Sequence, residues 1–266
     1  MNNLKVALKV ANLNVFYGEN PIIRNIYIDC YENKITAILG CVNSGKSTLL
    51  KTFNRLIESE ISSVRYEGQI EFFGQNIFNH RTNLNRLRRQ IGMIYPTPNT
   101  FSMSIYENIA SQVKLTGYYS KNELNTIVEI ALHRVGLWNE VKYKLHQPAI
   151  DLSLVQQQLL CIARALALQP KILIMDEPCM ELGIVRGMRI EEVIQSLRQS
   201  LTIIIATKNP QFALRISDYI GLMSVNNHVG ELVDFYQTSQ FVQNCLTPCP
   251  QTVILGNQQA KPTSVG

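Results

Sequence analysis

The chain has 266 residues, 46% apolar and 17% charged, with a formal net charge of +5. That excludes a disordered or fibrous protein and leaves room for one large core or two small ones. The cations are spread along the sequence, which suits a phosphate-bearing ligand or an anionic membrane surface and makes no nucleic-acid footprint.

In chain order, Val6-Ala7-Leu8-Lys9-Val10 reads as a strand, the first of several short strands expected up to about Gly74. Ile35-Thr36-Ala37-Ile38-Leu39 reads as a buried strand. A helix is expected from Ser47, with apolar residues at helical spacing through Leu56. Gly68-Gln69-Ile70-Glu71-Phe72-Phe73-Gly74 shows strand alternation between turn residues. From about Ser104 to Gly136 the pattern turns helical, in Ile105 to Ala110 and again in Leu124 to Val135. A long amphipathic helix is expected over Val155 to Leu168, halted by Pro170. Ile172-Leu173-Ile174-Met175 and Thr202-Ile203-Ile204-Ile205-Ala206 are apolar throughout, as central parallel strands are when both faces are buried. Val185 to Leu197 reads as the crossover helix between them. From about Cys245 periodicity is lost, and a loose tail is expected.

The longest apolar runs, such as Leu201 to Ala206, are far short of a membrane span. Met1-Asn2-Asn3-Leu4-Lys5-Val6 lacks the apolar core of a signal peptide. Membrane attachment is therefore expected only through a partner. Of the six cysteines, only Cys245 and Cys249 are close neighbours, and without a second pair they make a poor zinc site. In an intracellular setting they are expected to be ordinary thiols. His80, His133, His146 and His228 stand at no metal-like spacing.

The chemistry centres on Gly40-Cys41-Val42-Asn43-Ser44-Gly45-Lys46-Ser47-Thr48, which satisfies the phosphate-cradling pattern G-x-x-x-x-G-K-[ST]. The preceding strand and following helix supply the context that pattern needs. Backbone N–H groups and the positive end of the helix dipole then converge on one spot. Gly40 and Gly45 allow backbone conformations that a side chain would block. Lys46 is expected to reach the β- and γ-phosphates of a nucleoside triphosphate, and the Ser47 hydroxyl to ligate Mg²⁺. Asp176-Glu177 follows the apolar strand at Ile172 to Met175. There Asp176 can hold Mg²⁺ with Ser47, and Glu177 can orient or deprotonate an attacking water.

The chain resembles the nucleotide-binding subunits of ABC transporters, most nearly the ATP-binding subunit of phosphate importers. The resemblance runs without large gaps from about Leu8 to Phe235. Its most specific part is Pro98-Asn99-Thr100-Phe101-Ser102-Met103-Ser104-Ile105-Tyr106-Glu107-Asn108, preceded by Arg88-Arg89-Gln90-Ile91-Gly92-Met93-Ile94-Tyr95. Gly136-Leu137-Trp138-Asn139-Glu140-Val141-Lys142, Leu145-His146, the stretch Gln156 to Ala167, Ile174-Met175-Asp176-Glu177-Pro178 and Gly230-Glu231-Leu232-Val233 also agree.

The resemblance implies an α/β fold: a mixed, mostly parallel P-loop core, an antiparallel β part at the N-terminal side and a helical insert near 98–155. The ATP-binding domain would span 6–240 and the tail 241–266. ATP and Mg²⁺ are the implied cofactors, and Tyr17 stands where the family stacks an aromatic ring on adenine. The implied function is the ATP-binding subunit of an inorganic phosphate importer, peripheral at the cytoplasmic face of the cell (inner) membrane. Its partners would be transmembrane permease subunits, a second ATP-binding subunit in a homodimer or a heterodimer with an intact homologue, and, indirectly, a phosphate-binding protein.

Four family motifs are altered. The signature Leu-Ser-Gly-Gly-Gln is here Leu152-Ser153-Leu154-Val155-Gln156, with bulk where a phosphate must approach. The glutamine that senses Mg²⁺ and the membrane partner falls at Pro96, which has neither a side-chain amide nor an N–H. The histidine that grips the γ-phosphate falls at Lys208, a point charge with no acceptor. The Ser-Ala-Leu-Asp loop is Met180-Glu181-Leu182-Gly183, without its aspartate. Residues that bind ATP and Mg²⁺ within one subunit persist, and those that sense the γ-phosphate or act across the dimer are lost. The alternative expectation is therefore a catalytically weak, nucleotide-binding regulatory subunit paired with an intact ATPase.

Overall fold

The computed structural model describes residues 4–180 and 183–241. Its strands are β1 (Val6–Tyr17), β2 (Asn20–Tyr31), β3 (Ile35–Gly40), β4 (Val64–Phe72), β5 (Gln75–Asn76), β6 (Ile91–Ile94), β7 (Ile172–Asp176), β8 (Thr202–Thr207), β9 (Tyr219–Asn226) and β10 (Val229–Gln237). The helices are α1 (Lys46–Phe53), α2 (Leu84–Gln90), α3 (Ile105–Lys114), α4 (Lys121–Arg134), α5 (Trp138–Val141), α6 (Leu154–Ala167), α7 (Gly183–Leu197) and α8 (Pro210–Ile216). All ten strands form one sheet in the order β5-β4-β1-β2-β10-β9-β3-β8-β7-β6. One half, β9-β3-β8-β7-β6, is parallel, whereas β2-β1-β4-β5 is antiparallel. The expected α/β architecture is present.

The central strands are apolar throughout because both faces are covered. Alternate residues of β7 enter different cores: Leu173 and Met175 pack with α3, α4, α6 and α7. Ile172 and Ile174 pack with α1 and the antiparallel strands. Strand β8 divides likewise, Ile203 and Ile205 from Ile204 and Ala206. This period-two split fixes the register of the strand that delivers Asp176 and Glu177. Between β6 and α6 the chain is helical, in α3, α4 and α5.

Several elements differ from expectation. The first strand continues past Val10 to Tyr17 and pairs with β2, a twelve-residue strand with no clear sequence pattern. Asn12 and Asn25 take left-handed conformations, and the register shifts between Val10 and Leu13. Such bulges break the alternation that marks a strand in sequence. The helix expected through Leu56 ends at Phe53. Arg55 turns left-handed, and the Leu56 N–H donates to Asn54 Oδ1 at 3.1 Å, so Leu56 lies outside the helix despite its spacing. The expected tail, with Cys245 and Cys249, lies outside the described residues apart from its first residue, Phe241. The described cysteines, Cys30, Cys41, Cys161 and Cys179, are free thiols. Among the described residues no helix is long and apolar enough to cross a membrane, and no His/Cys/Asp/Glu group could hold a metal by itself.

Candidate functional site

Strand β3 ends at Gly40, and residues 41–45 turn the chain into α1. Both motif glycines are needed sterically. A Cβ on Gly40 would stand 2.7 Å from Met223 O, and Gly45 has φ +86°. Cys41, Val42 and Asn43 are exposed, whereas Ser44 is buried. Gly230 of β10 presses against the Ser44 carbonyl so closely that a Cβ there would overlap it. The loop is thus braced by a distant strand, which its local sequence does not reveal.

Lys46 is buried. Its Nζ donates to Gly40 O at 2.8 Å, Cys41 O at 2.7 Å and Ser44 Oγ at 3.4 Å, which folds the ammonium back over its own loop. Burial lowers its pKa, and the carboxylates of Glu177 and Asp176 oppose that shift. Ser47 and Thr48 follow at the start of α1. Tyr17 closes β1 with its hydroxyl 2.9 Å from Thr48 Oγ1, which brings the tyrosine to the P-loop helix.

Across the parallel sheet, Asp176 is buried and its Oδ1 has no hydrogen-bond partner. Burial raises its pKa, while the neighbouring Ser47 hydroxyl and the cations Lys51 and Lys46 favour the ionised form. A buried carboxylate oxygen without a partner costs about 1–3 kcal/mol or more. A hard cation accepting lone pairs from Asp176 and Ser47 would remove that cost, so the donor set fits Mg²⁺.

Glu177 is half-buried and has φ +43°. Its N–H donates to Ala206 O at 2.9 Å, and its Oε2 accepts from Thr207 Oγ1 at 3.2 Å. Burial raises its pKa, opposed by Lys46, Thr207 and the Lys208 backbone N–H. The site therefore has a cation, a carboxylate with a free acceptor oxygen and a second carboxylate on one loop-lined edge. All the predicted P-loop and strand-end residues come together here. Sequence pattern does not mark Thr207 or Gly230 as parts of this site. Thr207 closes an apolar run and offers no sequence signal, and Gly230 acts only through β10.

The altered motifs are also placed. Ser153 caps α6: its Oγ accepts from Gln156 N at 3.4 Å, and Gln156 Oε1 accepts from Ser153 N at 3.0 Å. Leu154 is 46% exposed, whereas Val155 is buried. Only Leu154 of this pair projects outward. Pro96 is half-buried just beyond β6, and Lys208 is exposed just beyond β8. Met180 is 48% exposed, Gly183 opens α7, and Glu181 and Leu182 lie outside the described residues.

The model of the ABC transporter family matches residues 23–180. The chain is 49% identical over 241 residues to "Phosphate import ATP-binding protein PstB 5" of Trichormus variabilis, covering 90% of this chain and 92% of that one. It is 47% identical over 243 residues to "Phosphate import ATP-binding protein PstB 1" of Nostoc sp., covering 90% and 93%. Among solved structures, CbiO1 from Clostridium perfringens, part of the CbiONQ ABC transporter complex, superposes with a TM-score of 0.78 at 26% identity, over 91% of this chain and 92% of that one. A bacterial Atm1-family ABC exporter with ATP bound gives a TM-score of 0.73 at 19% identity, over 92% of this chain and 42% of that one, which shows the shared fold. With the family model matched over residues 23–180 and near-half identity over nine-tenths of the chain, the chain belongs to the ABC transporter ATP-binding family, within its phosphate import branch.

Proposed function

We propose that this chain is the ATP-binding subunit of an inorganic phosphate importer, coupling ATP binding and hydrolysis to transport through transmembrane permease subunits. The observation that carries this reading is the near-half identity to phosphate import ATP-binding proteins over nine-tenths of their length. Residues 6–240 would form the ATP-binding domain, with the helical insert near 98–155. The subunit would sit peripherally on the cytoplasmic face of the inner membrane.

In this reading Tyr17 stacks on adenine, and the loop from Gly40 to Gly45 presents its N–H groups to the phosphates together with Ser47 and Thr48 at the start of α1. Lys46 leaves its carbonyl partners for the β- and γ-phosphates. Ser47 and Asp176 would hold Mg²⁺, which supplies charge neutralisation at the phosphates. Glu177 is the catalytic residue, its carboxylate orienting water and accepting its proton.

A second reading is favoured by Leu154, Pro96, Lys208 and Gly183: a subunit that binds ATP but turns it over weakly beside an intact second ATPase. A phosphate-uptake assay separates the two. The gene is expressed with its permease in cells lacking their own ATP-binding subunit, with Glu177→Gln in parallel. Uptake that Glu177→Gln abolishes supports the first reading. Uptake that requires an intact second ATPase and is indifferent to Glu177→Gln supports the other. No uptake in either setting would sink the transport assignment.

A further inference from the structure

We infer that Gln158 is the positioning residue for Glu177: one buried amide ties the backbone just beyond Glu177 to the loop that follows β6 and so holds the carboxylate in its aim. The inference rests on the role proposed above for Glu177.

Gln158 lies in α6, 1% exposed, among Leu159, Leu160 and Ile162. Its Nε2 donates to Tyr95 O at 2.9 Å and to Pro178 O at 3.3 Å. Both neighbours are carbonyl acceptors, so only the NH₂ end can face them and the orientation of the amide is fixed. Its Oε1 is buried without a partner. An apolar residue would avoid that cost at this core position. What Gln158 contributes is therefore the link between the two carbonyls.

The link matters because of the residue beside it. Glu177 at φ +43° is a non-glycine residue in the left-handed region, a conformation costing about 1–3 kcal/mol that persists only where its surroundings hold it. Three contacts do so: Glu177 N to Ala206 O at 2.9 Å, Met180 N to Glu177 O at 3.0 Å and the Gln158 bond to Pro178 O. The first two come from the neighbouring strand and from the turn itself. Only the third reaches another layer of the protein. With the backbone so held, the carboxylate meets the Thr207 hydroxyl, the Lys208 N–H and the charge of Lys46.

The same NH₂ group also grips Tyr95 O, next to Pro96. Proline offers this loop no amide of its own. A displacement of the loop after β6 thus reaches Pro178, the residue after Glu177, through a single side chain. This route runs within one subunit and needs neither the altered signature nor Lys208.

The test is Gln158→Met, which keeps length and apolar bulk and removes both donors, with Gln158→Glu as a second variant of unchanged shape should the first not fold. Hydrolysis is measured as kcat and KM separately, in Gln158→Met alone and combined with Glu177→Gln, beside the Mg-ATP thermal shift. The expected result is a lowered kcat at nearly unchanged KM, with no further fall when Gln158→Met is added to Glu177→Gln. Hydrolysis should fall about tenfold to a hundredfold, the scale of a misplaced catalytic group, while the Mg-ATP thermal shift is retained. An unchanged kcat, or a full further fall when Gln158→Met is added to Glu177→Gln, overturns the inference. So does a loss of hydrolysis that goes with an equal loss of nucleotide binding, since a merely structural role predicts that. If Glu177→Gln leaves hydrolysis intact, the catalytic reading of Glu177 fails; if Glu177→Gln abolishes it and Gln158→Met does not lower it, the positioning role alone fails.

Discussion

Replacing Lys46 by alanine should remove most ATP binding, by an amount the free protein's geometry limits. Two charge-assisted hydrogen bonds to phosphate oxygens are together worth roughly 3–6 kcal/mol. In the free protein, however, the ammonium already donates to Gly40 O and Cys41 O at 2.8 and 2.7 Å. Those bonds are surrendered on binding, so the net loss is nearer about 3 kcal/mol, or roughly 150-fold in affinity. A thermal-shift titration reads this directly. At a hundred times its Kd, Mg-ATP stabilises the native wild type by about 2.7 kcal/mol, whereas a 150-fold weaker variant gains only about 0.3 kcal/mol at the same concentration. For a chain of this size these correspond to roughly 5–10 °C and about 1 °C. A full shift in Lys46→Ala, or none in the wild type, would refute Lys46 as the phosphate ligand.

Three further outcomes follow from the same geometry. Gly230→Ala places a methyl group against the Ser44 carbonyl. It should weaken Mg-ATP binding at least about tenfold, a loss of about 1.4 kcal/mol, though β10 carries no nucleotide ligand; unaltered binding by calorimetry would show that the loop does not need this brace. Asp176→Asn should stabilise the nucleotide-free protein near pH 7. The pKa of Asp176 is raised by burial, so its ionisation costs stability as pH climbs from the ordinary aspartate range through the raised value. Denaturant melts should show the advantage of the variant vanish below the ordinary range, and an advantage equal at all pH values would contradict this. Leu154→Gly should raise hydrolysis at a facing partner site, since of the two bulky replacements only Leu154 projects outward, whereas adding Val155→Gly should cost roughly 2–4 kcal/mol in the core. Coupled ATPase assays of mixed dimers decide it, and an unchanged partner site would show that Leu154 is not the obstruction.

Much of this protein is written in local sequence. The phosphate loop, its flanking strand and helix, and the carboxylates after β7 are legible because each depends on neighbours within a few residues: a glycine spacing, an apolar run, a helix start. The central strands are legible for the same reason, since burial on both faces demands an unbroken apolar run. Strand β2 was not legible, because left-handed Asn12 and Asn25 and the register shifts erase its alternation while hydrogen bonds from β1 and β10 hold it. The end of α1 was decided by the backbone at Arg55, which apolar spacing does not report.

At the site, sequence supplied the residue types and the fold supplied their surroundings. That Asp176 keeps an oxygen without a partner, that Gly230 braces Ser44 and that Val155 is core while Leu154 is surface all depend on contacts between segments distant in the chain. Gln158 is the plainest case. In sequence it is one of three consecutive glutamines, and only the packing of α6 under the ends of β6 and β7 makes it the one whose amide reaches Tyr95 and Pro178. Hydrogen bonds across such distances follow from how layers stack, which no local pattern of residues encodes.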